Sequence, residues 1–256
     1  MSALGRLPFR PDDRDWPVSS VKALIATGDA VPLKWSVPRI LDQGANGTCV
    51  AAGTLGACDC DDENHVLSAF ASADIIPFFQ TIAGAGPLPD GGAEVREGLK
   101  AAQKAGYIKA YSLLKDEAEI KDWQENHGPV VVGADWMSSM DAPNALGFVT
   151  FDGTVRGGHC FYGNGDVDGQ DFVNSWGDQW GDEGFFYMTD AEFAKMQNGD
   201  FEAWAIVQAP PAPTPTPSPN SSRVKKIITE ALALAKKEEA ALAKEIADLE
   251  KALASL

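Results

Sequence analysis

Asn174-Ser-Trp-Gly-Asp-Gln-Trp-Gly-Asp-Glu-Gly-Phe-Phe-Tyr-Met188 is the stretch on which the reading of this 256-residue chain turns. Glycines at 177, 181 and 184 punctuate a loop with two tryptophans, and the segment then runs into an aromatic stretch suited to a strand. Working backwards, QDFVNSW (170–176), GHCFYGNGDVDG (158–169) and GFVTFDG (147–153) read as strands joined by Gly/Asp turns. VVVGADW (130–136), placed after Gly128-Pro129, has the β-branched character of a buried strand. The first half reads as helical. VAAGTLGAC (50–58) is apolar and small, and Ser68 is placed to cap a helix through 69–80, which Pro77 would kink or end. In AEVREGLKAAQKAGYI (93–108) Val95, Leu99 and Ala102 share a face and Gly106 is the terminator, while DEAEIKDWQENH (116–127) makes a shorter helix. Helices first and an antiparallel sheet later predict an α+β protein with two segregated lobes.

The body spans residues 1–208. Residues 209–222, APPAPTPTPSPNSS, alternate Pro with small polar residues and form a semi-rigid spacer. Residues 223–256 contain no Gly or Pro. There Ile228, Leu232, Ala235, Leu242, Ile246, Leu249, Leu253 and Leu256 trace a heptad seam, with Glu239 at one core position. This predicts a coiled-coil helix that self-associates or binds a partner helix.

The chain's net charge of −16 is concentrated in the body and argues against nucleic-acid binding through it. No apolar run approaches the roughly 20 residues of a membrane span, and the N-terminus lacks the apolar core of a secretory signal. Four cysteines, Cys49, Cys58, Cys60 and Cys160, are too few for a disulfide framework and offer no paired metal-binding units, so free thiols in a reducing compartment are expected, with no metal and no cofactor. A cytoplasmic or virion-associated location fits this composition.

The chemistry concentrates in three places. DQGANGTC (42–49) is a glycine-punctuated loop that delivers Cys49 to the start of a helix, where unpaired N–H groups and the macrodipole favour the thiolate. Gly157-Gly158-His159 lies in a strand, and Asn174 opens the decisive stretch. A thiolate needs an imidazolium partner, and the imidazole needs a third group to hold its tautomer; Cys, His and Asn in this order supply those roles. The Gln43 amide and a backbone N–H at Cys49 would hold the developing oxyanion. His65 and His127 read as surface or turn residues. Cys160 should face away from His159, because strand neighbours alternate.

These motifs resemble the papain-like cysteine peptidases. In DQGANGTC, Gln43 stands six residues before Cys49, as in the family's nucleophile loop; GGH resembles its histidine segment, and NSWGDQWGDEGFFYM its asparagine motif. DGGAEVREGLKAAQKAGYI resembles the family's Gly-Gly segment, which places Gly91 and Gly92 on the cleft wall, with Gly92 pairing to substrate backbone. The resemblance covers roughly residues 30–208. It implies that Cys49, His159, Asn174 and Gln43 are catalytic and that Trp176 shields the Asn–His bond. It also puts Trp180 and Gly158 beside a peptide or protein substrate. The departures are Thr48 and Val50 around the nucleophile, Cys160 after the histidine, and a Cys49-to-His159 spacing shorter than the family's roughly 130–150 residues. The stretch before Cys49 also leaves no room for a long inhibitory pro-segment.

Two functions follow. One is a cysteine peptidase, working through an acyl-enzyme and tethered or oligomerised by its coiled coil. The other is a catalytically weak papain-fold docking protein of a larger assembly, for example a bacteriophage particle.

Overall fold

The structure, a computed structural model, describes residues 3–13, 15–22, 35–60, 70–166 and 170–208. The spacer, the heptad helix, Ser68 and His65 lie outside them. Among the described residues no helix is long and apolar enough to cross a membrane.

Six strands form one antiparallel sheet: β1 (Ile108–Leu114), β2 (Val130–Met137), β3 (Val155–Asp166), β4 (Gln170–Val173), β5 (Phe185–Met188) and β6 (Phe201–Gln208). Their spatial order is β1-β6-β2-β3-β4-β5. The helices are α1 (Val18–Lys22), α2 (Cys49–Asp59), α3 (Ser72–Phe79), α4 (Val95–Ala105), α5 (Glu117–Asn126) and α6 (Asp190–Gln197).

Period-two alternation along β2 divides the core. Val131 faces a cluster built from α2, α3 and α4, with Cys160, Tyr162, Val173, Trp204 and Ile206 from the sheet. Val130, Val132 and Ala134 face a second cluster holding Trp123 of α5, Trp136, Phe161, Phe172, Phe186 and Phe193 of α6. This is the α+β, two-lobed arrangement that the order of the elements predicts.

Local chemistry explains the helices that the sequence places well. Helix α4 ends at Gly106, whose φ of 81° is the left-handed cap that glycine adopts without Cβ strain. It buries Val95, Leu99 and Ala102 on one face. Helix α5 starts at Asp116, whose carboxylate accepts the Glu119 N–H.

Elsewhere the structure corrects the sequence. Helix α3 begins only at Ser72, with Asp74 accepting the Ala71 N–H at 2.7 Å, and Pro77 lies inside it. GFVTFDG is a loop rather than a strand. Gly147 (φ 80°) and Gly153 (φ 89°) turn the chain at its ends, and the Ser139 hydroxyl meets the Thr150 and Asp152 carbonyls. Only Phe148 keeps a bridge to the sheet, at Tyr187. Strands β1 and β6 and helix α6 were not anticipated.

Leu99 is fully buried in the first cluster. Leu99→Ala should lower the unfolding free energy by about 2–5 kcal/mol in denaturant titration, through lost transfer energy and a residual cavity. Lys100→Ala, on the exposed face, should stay within about 0.5 kcal/mol.

Candidate active site

Helix α2 opens on Cys49 and packs against β3, whose register with β2 sets His159 opposite Ala134. Glycines allow the close approach: a Cβ on Gly53 would lie 3.0 Å from the Cys160 sulfur, and one on Gly56 would lie 2.4 Å from the Tyr162 ring. Cys160 belongs to the α2 cluster, whereas the His159 ring packs among Trp136, Phe161 and Trp176, so the two neighbours do take opposite faces.

The imidazole is oriented from one side. His159 Nε2 lies 2.8 Å from Asn174 Oδ1, a carbonyl-type acceptor that also receives the Ser175 N–H at 2.7 Å. The ring proton therefore belongs on Nε2, and Nδ1 is left as the acceptor. Trp176 packs on the imidazole with ring centroids 4.9 Å apart, and Trp136 meets it edge-on at 4.8 Å. Trp180 stands against Trp176 and donates its indole N–H to the Asp141 carbonyl at 3.0 Å.

Gln43 is tied to the same loop. Its Oε1 accepts the Ser175 hydroxyl at 2.7 Å, and its backbone N–H donates to the Ser175 carbonyl at 2.9 Å. Its Nε2 donates to the Asn46 carbonyl at 2.8 Å and to the Ala3 carbonyl at 3.2 Å. Ser175 thus ties Gln43 to the loop that carries Asn174, and Asn174 in turn holds His159, while Cys49 opens the helix packed against the His159 strand.

Cys49 and the His159 strand are covered by the chain's own N-terminal segment. The Gly5 and Arg6 N–H groups donate to the Gly158 carbonyl at 3.3 and 3.0 Å. On the other wall Ala93 N–H donates to Gly5 O, and Leu7 N–H donates to Ala93 O, both at 2.9 Å. The main-chain partner on this wall is therefore Ala93 rather than Gly92. Gly92 provides clearance, since a Cβ there would lie 2.9 Å from the Gly5 carbonyl. Gly91 is packed behind it, where a Cβ would lie 2.5 Å from the Gly86 carbonyl. A long pro-segment is unnecessary for this covering, because residues 3–7 suffice.

Covering changes the chemistry. Cys49 and His159 are both 0% exposed. Burial pushes the Cys49 thiol up to about 12, against the opposing pull of the Cys160, Gly5 and Val50 N–H groups and of Arg6. Burial also draws His159 down to about 4, despite its bond to Asn174. His159 Nδ1 has no hydrogen-bond partner among the described residues. The covered state therefore holds a neutral thiol and a neutral imidazole, not an ion pair.

The sequence reading missed Ser175, Ala93, Arg6, Asp200, Glu202 and Gly133 in and around this cleft. Glu202 carried a usable signal, being an acid inside the apolar run FEAWAIV, where a buried charge requires a partner.

Two outcomes test this geometry. Because His159 titrates near 4 in the folded chain against an ordinary 6.5, the unfolded chain binds more protons between those values. Stability should therefore rise with pH across that window, by roughly 3 kcal/mol from this group. Denaturant midpoints of the unsubstituted chain at pH 4.5 and pH 7 should show it, and His159→Gln should remove that part. Second, a Cβ on Gly5 would lie 2.1 Å from the Gly47 carbonyl oxygen, so Gly5→Ala should dislodge the segment. Iodoacetamide should then label Cys49 at least about tenfold faster at pH 7, a shift of only ~1.4 kcal/mol in opening; an unchanged rate would show that the segment does not control access.

No protein-family model matches the chain, and no curated protein matches it in sequence. Solved structures do match. Xylellain, a cysteine protease from Xylella fastidiosa, superposes with a TM-score of 0.61 at 21% identity, covering 81% of this chain and 97% of its own. A digestive procathepsin L 3 from the Tenebrio molitor larval midgut gives 0.53 at 15% identity, covering 72% of each chain. The bromelain protease of Ananas comosus, solved with the E64 inhibitor, gives 0.50 at 12% identity, covering 67% of this chain and 94% of its own. With its helices and its six-stranded antiparallel sheet laid out as theirs are, the body of this chain has the fold of the papain-like cysteine proteases.

Proposed function

We propose that the protein is a cysteine peptidase, with Cys49 as nucleophile, His159 as acid and base, Asn174 as the positioning residue for His159, and Gln43 as oxyanion donor. The observation that carries this reading is the 2.8 Å bond from His159 Nε2 to Asn174 Oδ1, which leaves Nδ1 as the proton acceptor on a strand packed against the helix that bears Cys49. When the N-terminal segment leaves, water regains the site and the desolvation that keeps thiol and imidazole neutral is relieved. The proton then passes from Cys49 to His159, and the thiolate attacks a peptide carbonyl. The oxyanion is received where Gln43 Nε2 now meets the Ala3 carbonyl. His159 protonates the departing amine, leaving a thioester; it then takes a proton from water, whose oxygen attacks the thioester and frees Cys49. Trp176 excludes water from the Asn174–His159 bond. No metal or organic cofactor is needed for these steps.

A second reading, a papain-fold docking protein, draws on the complete burial of Cys49 and His159. In either reading residues 223–256 join copies of the chain or hold a partner helix.

On the Gly5→Ala chain, alkylation of Cys49 should be selective over Cys58, Cys60 and Cys160 well below pH 8.5, and His159→Ala should abolish the selectivity. Peptide hydrolysis should vanish in Cys49→Ala and fall by roughly 10²-fold in Gln43→Ala. Labelling indifferent to His159, with no hydrolysis, would leave the docking reading. For the tail, Leu242→Glu with Leu249→Glu should lower the oligomeric state by light scattering; an unchanged mass would exclude self-association through that seam.

A further inference from the structure

Arg6 sends its side chain out of the covering segment into a pocket of the body. Its side chain is fully buried, with Nε 3.1 Å from Glu202 Oε1 and one terminal nitrogen 2.9 Å from Asp200 Oδ1. The other terminal nitrogen donates to the Asp200 carbonyl at 3.2 Å. Glu202 lies on β6, and its second oxygen accepts the Trp204 indole N–H at 2.7 Å, so the carboxylate is held in place independently of Arg6. Asp200 receives the Phe9 N–H as well. Gly133 of β2 supplies the volume: a Cβ there would lie 2.7 Å from Arg6 Nε, 2.9 Å from Glu202 Oε1 and 2.9 Å from Val95.

The main-chain bonds of Gly5, Arg6 and Leu7 to the two walls are made to backbone atoms, those of Gly158 and Ala93. Any extended peptide presents the same groups, so the walls hold a strand without reading its sequence. The pocket is where sequence is read. A guanidinium satisfies two carboxylates and a carbonyl at once, and burial makes an uncharged occupant costly because Glu202 would then lose its partner. Burial alone lowers the affinity of Arg6 for its proton, yet Asp200 and Glu202 outweigh it and Arg6 is held above the ordinary arginine value. The Arg6 charge is also felt at Cys49.

We propose that the Arg6 pocket is the substrate-recognition pocket of the cleft, selecting an arginine side chain on an extended peptide, with Glu202 and Asp200 as its specificity-determining residues. The class of substrate rests on the peptidase reading; the pocket's chemistry does not. Arg6 is its intramolecular occupant, and a substrate arginine replaces it when the segment leaves.

The test vacates the pocket in the full-length chain with Arg6→Ala, or with Arg6→Met should the alanine chain not fold. N-acetyl-arginine methylamide, its neutral citrulline analogue and N-acetyl-leucine methylamide are added at millimolar concentration, and the thermal midpoint is read. The arginine amide should raise the midpoint by at least a few degrees, as a ligand of the folded state does, and the other two should not. The shift should be lost when Glu202→Gln is added. A leucine amide that stabilises equally, or an arginine amide without effect, overturns the proposal. A peptide library then separates the two readings on the vacated chain also carrying Gly5→Ala, which dislodges the main-chain covering. A preference of tenfold or more in kcat/KM for arginine near the scissile bond supports both. Cleavage that favours an apolar side chain instead overturns the pocket and keeps the peptidase. Binding of the arginine amide with no cleavage of any peptide keeps the pocket and overturns the peptidase.

Discussion

The close contact between helix α2 and strand β3 is the constraint on which the rest of the structure depends. One element carries Cys49 and the other His159, and neither is placed by its own loop alone. The separation is set where Gly53 meets Cys160 and Gly56 meets Tyr162, at distances where an added Cβ would crowd the sulfur and displace the tyrosine ring. Interiors are packed too tightly to absorb an added methyl there without rearranging those neighbours. The small, apolar character of residues 50–58, bland as a pattern, is thus what sets the spacing of the Cys49 helix from the His159 strand.

A second layer of order comes from the loop after β4. Asn174 orients the imidazole while its neighbour Ser175 holds Gln43 through a hydroxyl and a backbone carbonyl. The groups that would handle the proton and the oxyanion are therefore carried by adjacent residues of one loop, itself pinned by the glycine turns at 177, 181 and 184. The electrostatics run the other way in the covered state. Desolvation outweighs every favourable dipole at Cys49 and the Asn174 bond at His159, so the same geometry that would favour an ion pair in a wet cleft holds two neutral groups in a dry one.

Much of this was legible in the sequence, and the part that was not has a common cause. Gly106 and Asp116 act within a turn of their own helices, so α4 and α5 could be read locally. The spacing of Gln43 from Cys49 and the run from Asn174 to Met188 likewise carry their meaning within a few residues. Strands β1 and β6 pair Ile108 with Gln208 and Leu114 with Ala203, partners with no local trace of each other, and β1 follows directly on α4 in the half that reads as helical. GFVTFDG alternates like a strand but meets the sheet only at Phe148, opposite Tyr187, and its glycine ends turn it into a loop. The segment from Ala3 to Leu7 has no periodicity at all; its conformation comes from the walls at Gly158 and Ala93, and only an acid at Glu202 hinted that a cation would be needed.

The covering strand is part of the same molecule as the cleft, and that fixes how the two equilibrate. Closure is unimolecular, so the closed fraction does not fall when the protein is diluted, unlike inhibition by a separate protein. A short flexible connection gives a tethered group an effective concentration on the order of millimolar. On the peptidase reading, an incoming peptide would compete against a local excess that it could overcome only by tighter binding, by pulling on the strand, or after the strand has been severed. The last of these cannot be undone, and it would turn a reversible lid into a timer that runs once.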